Sequence, residues 1–274
     1  MKWLIVTADE LGLSSQRNKG IVEAHCRGIL TSASMLAYGP AFREAVKISK
    51  ALPKLDIGLH LNLSEGEPLV LGHKTLINKS GEFWGRQEAR RRAKEKMFDL
   101  REIESEAEAQ LETLKSAGLK VTHLNAVDHM HIRGNLATPL ALVARRHGIR
   151  CFRCPAERSR PSSLKPNSER ASAVHEYHQS ALNAIGVYGA QRMRSTENFA
   201  GATLTGFLTP ESLIETIQSL PAGLTELMVH PGMKAAEKGF EGPDREAEVQ
   251  ALTDPRLKPL LKELEIGLTH FGKL

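Results

Sequence analysis

Trp3-Leu4-Ile5-Val6-Thr7-Ala8-Asp9-Glu10-Leu11-Gly12-Leu13-Ser14 reads as a strand that turns abruptly polar and then opens toward a helix. Trp3 to Ala8 is apolar or β-branched almost without interruption, the pattern of a strand covered on both faces rather than one. The acidic pair stands where that strand ends. The same alternation continues outward. Residues 18–27 carry a helix with Ile21, Val22 and Ala24 among its apolar positions and Gly28 at the C-terminal cap. Residues 29–38 form a second candidate strand, 41–52 a helix stopped before Pro53, and 57–63 a third strand. After a Gly-rich polar loop over 64–85, a long helix is expected over 87–117, a strand over 121–127, a helix over 136–147 and a strand over 149–153. Residues 155–203 break the rhythm with Pro, Ser, Arg and Asn clusters around one helix at 171–185, and are expected as an irregular insertion over a substrate groove. The pattern resumes with a helix at 210–220, a strand at 224–229, a loop through Gly242, a helix near 255–265 and a short strand at 266–270. Strand and helix in steady alternation predict an α/β fold built on parallel strands. Some six or seven such units without an internal repeat predict a deformed TIM-like (β/α) barrel forming a single domain over 1–274. A doubly wound open sheet is the alternative.

Composition narrows the functional classes. The chain has 274 residues, 41% hydrophobic and 25% charged, enough to bury a full core. The apolar run after Met1 is too short for a signal peptide, and no run approaches the roughly 20 apolar residues that span a bilayer. Three cysteines, Cys26, Cys151 and Cys154, make no disulfide framework, which predicts a cytoplasmic location. The net charge of +5 raises the question of nucleic acid, most of all over Arg86 to Arg101. There Arg90-Arg91-Arg92 is interleaved with Glu88, Glu95 and Asp99, as on a solvated helix, and no aromatic residues stand among the basic ones for bases to stack on. Nucleic acid is not expected as a partner.

In parallel α/β folds, functional side chains gather at the C-terminal ends of strands. Four such ends carry ionisable residues: Asp9-Glu10; His60 in Gly58-Leu59-His60-Leu61-Asn62; the run from His123 through Asn125-Ala126-Val127-Asp128-His129-Met130-His131; and His230 in Met228-Val229-His230-Pro231. Each has a structural explanation taken singly, a helix cap for the acids and a hydrogen-bonded core position for each histidine. Together they are the parts of a hydrolytic metal site. One carboxylate and two imidazoles hold a divalent ion, a second carboxylate takes a proton from the attacking water, and a further histidine protonates the leaving group.

Thr7-Ala8-Asp9-Glu10-Leu11-Gly12-Leu13-Ser14, Thr31-Ser32-Ala33-Ser34, Gly58-Leu59-His60, His129-Met130-His131 and Glu226-Leu227-Met228-Val229-His230-Pro231 together resemble the YdjC-like carbohydrate deacetylase family, closest to its branch associated with hopanoid biosynthesis. The resemblance runs along the whole chain and is weakest over 155–203. It implies a deformed (β/α) barrel that removes an acetyl group from an N-acetylated amino sugar or sugar conjugate with a divalent ion, Mg, Zn or Co. On it, Asp9 matches the catalytic base, Glu10 stands at a metal-binding aspartate, His60 at a metal-binding histidine and His230 at a catalytic histidine. The family's middle motif places its metal-binding histidine where this chain has Val127, which cannot ligate. In an extended strand Asn125, Val127, His129 and His131 share a face, with His129 about 7 Å further along than Val127. A longer Glu10 and a displaced ligand at His129 then define a relocated site, joined by Asp128 if the strand ends there. Arg153 is expected to reach a substrate oxygen or Asp9, and Asn125 and His131 to line the substrate site.

Weaker signals have structural readings. Cys151-Phe152-Arg153-Cys154 is a lone CxxC whose cysteines point to opposite faces of a strand. His175 and His178 lie one helical turn apart, Phe83 and Trp84 precede a helix, and Gly189, Gly201 and Gly206 do not make a phosphate loop. Besides the deacetylase, two functions compete: a catalytically impaired relative that binds a glycan or partner through the same groove, and an unrelated barrel enzyme such as a sugar epimerase. Val127 is the residue that divides them.

Overall fold

The computed structural model describes residues 1–158, 168–235 and 241–274. Parts of the 155–203 stretch and of the loop before Gly242 thus lie outside the described residues. The first strand, β1 (Lys2–Leu11), is central. It pairs in parallel with β7 (Gly223–Val229) along one edge. Its other edge is shared by two strands, β8 (Ile266–Leu268) beside Lys2 to Leu4 and β2 (Ser32–Met35) beside Thr7 to Leu11. With neighbours on both edges and helices outside, Leu4 to Leu11 are buried, as the hydrophobic run requires, while Trp3 at the start of the strand is exposed.

β3 (Asp56–Leu61), β4 (Val121–Ala126), β5 (Cys151–Phe152) and β6 (Asn198–Ala200) complete a wholly parallel sheet in the order β5-β4-β3-β2-β1-β7-β6. A parallel bridge between Cys151 and Arg194, on the chain leading into β6, brings the two ends of that order together. The fold is therefore a curled parallel (β/α) barrel, with short strands and one isolated bridge at its seam. The stretch expected to be irregular contributes α6 (Ser168–Ala190) as well as β6, which pairs with β7.

Several boundaries shift for local reasons. The long helix expected over 87–117 is two helices, α3 (Arg86–Lys94) and α4 (Leu100–Ser116). Lys96 takes a left-handed φ of 56° between them, and the Asp99 side chain caps α4 by accepting from the amide of Arg101. Ile103, Ala107, Leu111 and Leu114 then bury one stripe of α4 at helical spacing. A helix over Asp244–Leu252, α8, follows Gly242-Pro243 and was not anticipated. The helix α1 (Ser15–Cys26) starts at Ser14, whose hydroxyl accepts from the amide of Arg17. Asp9 and Glu10 therefore do not cap it. Gly20 of α1 lies so close to the loop after β7 that a Cβ there would sit 2.4 Å from the Gly232 Cα. That contact draws α1 against the His230 turn. Among the described residues no helix is long and apolar enough to cross a membrane.

Candidate active site

At the C-terminal ends of the strands, Asp9, Glu10, His60, His129 and His230 line one cavity of about 310 Å³. Asp9 is anchored from behind. Arg153 donates from both terminal nitrogens, at 2.6 Å to Oδ2 and 2.9 Å to Oδ1, and Asn125 Nδ2 donates to Oδ1 at 2.9 Å. Burial alone would raise the Asp9 pKa, but Arg153, with His60 and His230, outweighs it and holds the carboxyl far below the usual carboxylate range. His230 Nε2 lies 3.9 Å from Asp9 Oδ2. Its ring is kept neutral by burial, against the pull of Asp9. The His230 turn is fixed by its own backbone: its amide donates to Glu248, and its carbonyl accepts from Arg17.

Glu10 occupies a left-handed position, φ 68°, at an irregularity in β1 where the register with β2 shifts between Ala8 and Leu11. Burial pushes its carboxyl up to about 7, against Arg17 and Arg86. Arg17 Nη2 stands 3.5 Å from Glu10 Oε2, and Arg86 Nη2 3.8 Å from Oε1. His60 hydrogen-bonds through Nδ1 to Asn125 Oδ1 at 2.9 Å, which leaves Nε2 for the cavity, and burial lowers its pKa.

The middle motif departs from its expected geometry. β4 ends at Ala126, and Asp128 and His129 both take φ of 54°, so the run 127–132 is a tight turn and not an extended face. Two successive left-handed residues break the alternation that placed Val127 and His129 side by side. His129 nevertheless turns into the cavity, edge-on to Tyr177 at 4.7 Å between ring centroids, neutral through burial, with Nδ1 unpartnered. Asp128 reaches the cavity too, but Arg90 grips both its oxygens and the Tyr177 hydroxyl donates to Oδ1.

Asn125 and His131, expected at the substrate, lie beneath the cavity with Arg153, which of its two expected partners takes Asp9. Arg153 is wholly buried and spends its donors on Asp9 and Glu226. His131 Nε2 bonds the Arg153 carbonyl, and burial drives its pKa down to about 3. They hold Asp9 and His60 in place. Residues missed in the sequence take the walls: Arg86 and Arg90, one helical turn apart on α3, Tyr177 of α6, and Arg245 of α8. The i, i+4 spacing of Arg86 and Arg90 was the available signal, hidden within a run whose Arg91 is indeed solvated beside Glu88 and Glu95.

Two of the weaker signals, the cysteine pair and the aromatic pair, are structural. Cys151 and Cys154 are buried, which lifts both thiols to about 11. Phe83 is in the core, and Trp84 donates to the Thr75 carbonyl beneath the Arg92 guanidinium.

The metal donors expected here do not converge. Among the described residues, Glu108, Glu112 and His147 are the one set of three acidic, histidine or cysteine side chains whose donor atoms all lie within 4.8 Å of one another. They sit on the outer surface, where Arg146 and Lys115 already engage Glu108 and His147. Glu10, His60 and His129 form no such set, Val127 adds no donor, and two guanidinium groups flank Glu10. The residues present do not fit a divalent ion held by three protein ligands.

A barrel of this topology with acids and histidines gathered at the strand ends defines a hydrolase-type α/β barrel. The YdjC-like protein family matches residues 3–263, and the chain belongs to that family. A mouse carbohydrate deacetylase is 30% identical over 99% of this chain and 94% of its own length. One from Brevibacillus brevis is 29% identical over 99% of both. A candidate cellobiose-phosphate cleavage protein from Enterococcus faecalis V583 superposes with a TM-score of 0.79 at 22% identity, covering 99% of this chain and 98% of its own, and shares the fold.

Proposed function

We propose that the chain is a carbohydrate N-deacetylase, a hydrolase that cleaves the acetyl amide of an N-acetylated amino sugar or sugar conjugate. The observation that carries this reading is the Asp9–His230 pair, 3.9 Å apart at one wall of the cavity, with Arg153 locking the carboxylate from behind. Water enters beside Asp9 and gives up its proton as its oxygen bonds to the acetyl carbon. Arg153 makes Asp9 a poor resting place for that proton. His230, neutral at rest, receives it and delivers it to the departing sugar nitrogen. Asn125 keeps both partners in register, since it bonds Asp9 with its amide nitrogen and His60 with its oxygen.

The motifs around Asp9 and His60 also support the nearer affinity to the hopanoid-associated branch, and the three unpaired cysteines support a cytoplasmic setting. The second reading, a catalytically impaired relative that only binds its glycan, draws on Val127. Acetate release from N-acetylglucosamine-containing oligomers decides between them. Asp9→Asn should abolish release if the chain is an enzyme, and glycan binding without any release would leave the binding reading in its place.

A further inference from the structure

Glu10 is already flanked by two cations of the protein. Its carboxylate lies between Arg17, wholly buried and 3.5 Å from Oε2, and Arg86, 3.8 Å from Oε1. A divalent ion on Glu10 would sit against two permanently charged guanidinium groups. At position 127 the chain offers an alkyl group, and His129, which the turn carries into the cavity, does not make a three-donor set with Glu10 and His60. Resting on the deacetylase reading, we propose that the guanidinium of Arg86 takes the place of a divalent ion in this pocket and polarises the acetyl carbonyl.

Among the cations near Glu10, Arg86 is the one suited to meet substrate. Arg17 is sealed behind the site by the His230 carbonyl and Glu241. Arg90 is committed to Asp128, and Arg245 to Asp244 and Glu248. Arg86 lines the cavity together with Glu10, His60 and His230, and its side chain keeps 35% exposure. It is the first residue of α3, directly after Gly85, whose φ of 81° sets the turn into the helix. Glu65 Oε2 lies 2.7 Å from both Nε and Nη2 on the solvent side, an ion pair that aims the group without burying it.

The chemistry balances without a metal. The water oxygen bonds to the acetyl carbon, its proton passes to Asp9 and then His230, and the carbonyl π pair moves onto oxygen. That oxyanion faces the Arg86 guanidinium, a fixed donor array aimed at developing charge. Collapse breaks the C–N bond, the nitrogen takes the proton from His230, and acetic acid leaves. One water is consumed.

The test joins metal content to kinetics on the full chain. Elemental analysis of protein purified without added metal should find well under one equivalent of Zn, Co, Mg or Mn. Equilibrium dialysis against Zn should show no site that His60→Ala removes. Acetate release from N-acetylglucosamine oligomers should survive dialysis against EDTA unchanged. Arg86→Met should lower kcat by about 100-fold or more with KM moved little, the effect of removing an oxyanion donor, while Arg86→Lys retains an intermediate rate. The metal content and EDTA results on the unmodified chain stand whether or not a variant folds. One equivalent of metal lost with His60→Ala, or release that needs an added ion, overturns the role of Arg86 and leaves the deacetylase reading intact. No release under any condition removes both.

Discussion

Replacing Arg153 with methionine strips the guanidinium from two buried carboxylates at once, Asp9 and Glu226. Each pair is worth roughly 4 kcal/mol of Coulomb energy at an effective dielectric of 20 and about 4 Å. Two pairs give about 8 kcal/mol, offset by the several kcal/mol of desolvation that the buried guanidinium no longer suffers. A net loss of about 3–5 kcal/mol at neutral pH follows. The pH dependence is diagnostic. In the native chain the folded pKa of Asp9 is depressed, so its contribution is present above the unfolded value of 3.8 and is lost only in strong acid. Without Arg153 only His60 and His230 oppose the burial of Asp9, and burial raises its folded pKa above the unfolded one, which reverses the sign. The variant's penalty then vanishes only in strong acid and grows as pH rises. Urea unfolding followed by circular dichroism at pH 4.5 and 7.5 should show a deficit already at the lower pH, from the lost ion pair, and a larger one at the higher. Adding Asp9→Asn should recover part of the loss at pH 7.5. A deficit equal at both pH values, or below about 1 kcal/mol, would show that Arg153 is a packing residue and does not clamp the carboxylates.

Glu10→Gln tests the neighbouring acid. With a folded pKa raised to about 7 from 4.5, the native chain is favoured below pH 4.5 and loses about 3 kcal/mol as pH rises through 7. The variant should flatten that slope in urea titrations from pH 4.5 to 8, and an unchanged slope would contradict it. His230→Gln should cost 10²–10⁴ in kcat with little change in KM. Because His230 must start neutral and its pKa is depressed, kcat of the native enzyme should hold across neutral pH and fall only below the ordinary histidine range. Gly20→Ala places a Cβ 2.4 Å from the Gly232 backbone and should cost about 1–3 kcal/mol by overpacking, with loss of activity as the His230 turn is displaced. Melting curves and acetate assays on one preparation check both effects.

Most of the barrel was legible because its strands are buried on both faces, so apolar runs such as Leu4-Ile5-Val6 announce themselves without competition from polar alternation. What failed was governed by single residues that periodicity does not weigh. Lys96 and Asp99 cut one expected helix into two, since a left-handed residue and a side-chain cap can end one helix and begin another inside an unbroken polar-apolar pattern. β6 was invisible because three residues, Asn198–Ala200, are too short to show a period, and only pairing with β7 defines them.

The candidate site divides along the same line. Asp9, Glu10, His60 and His230 stand at the ends of strands, where direction follows from the fold, and all four reach the cavity. His129 reaches it by a route the sequence did not suggest, through a turn rather than along a strand. Arg153 reads from sequence toward either a substrate oxygen or Asp9, and electrostatics decides for the second: two acids far away in sequence, Asp9 and Glu226, converge on it and draw it beneath the floor of the site. Arg86 was missed. It stands in a solvated basic run, and only the curvature that brings the start of α3 over the mouth of β1 sets its charge beside Glu10. A missing ligand such as Val127 can be read from sequence, but the cation positioned in its stead comes from another strand–helix unit and is found only once the barrel closes.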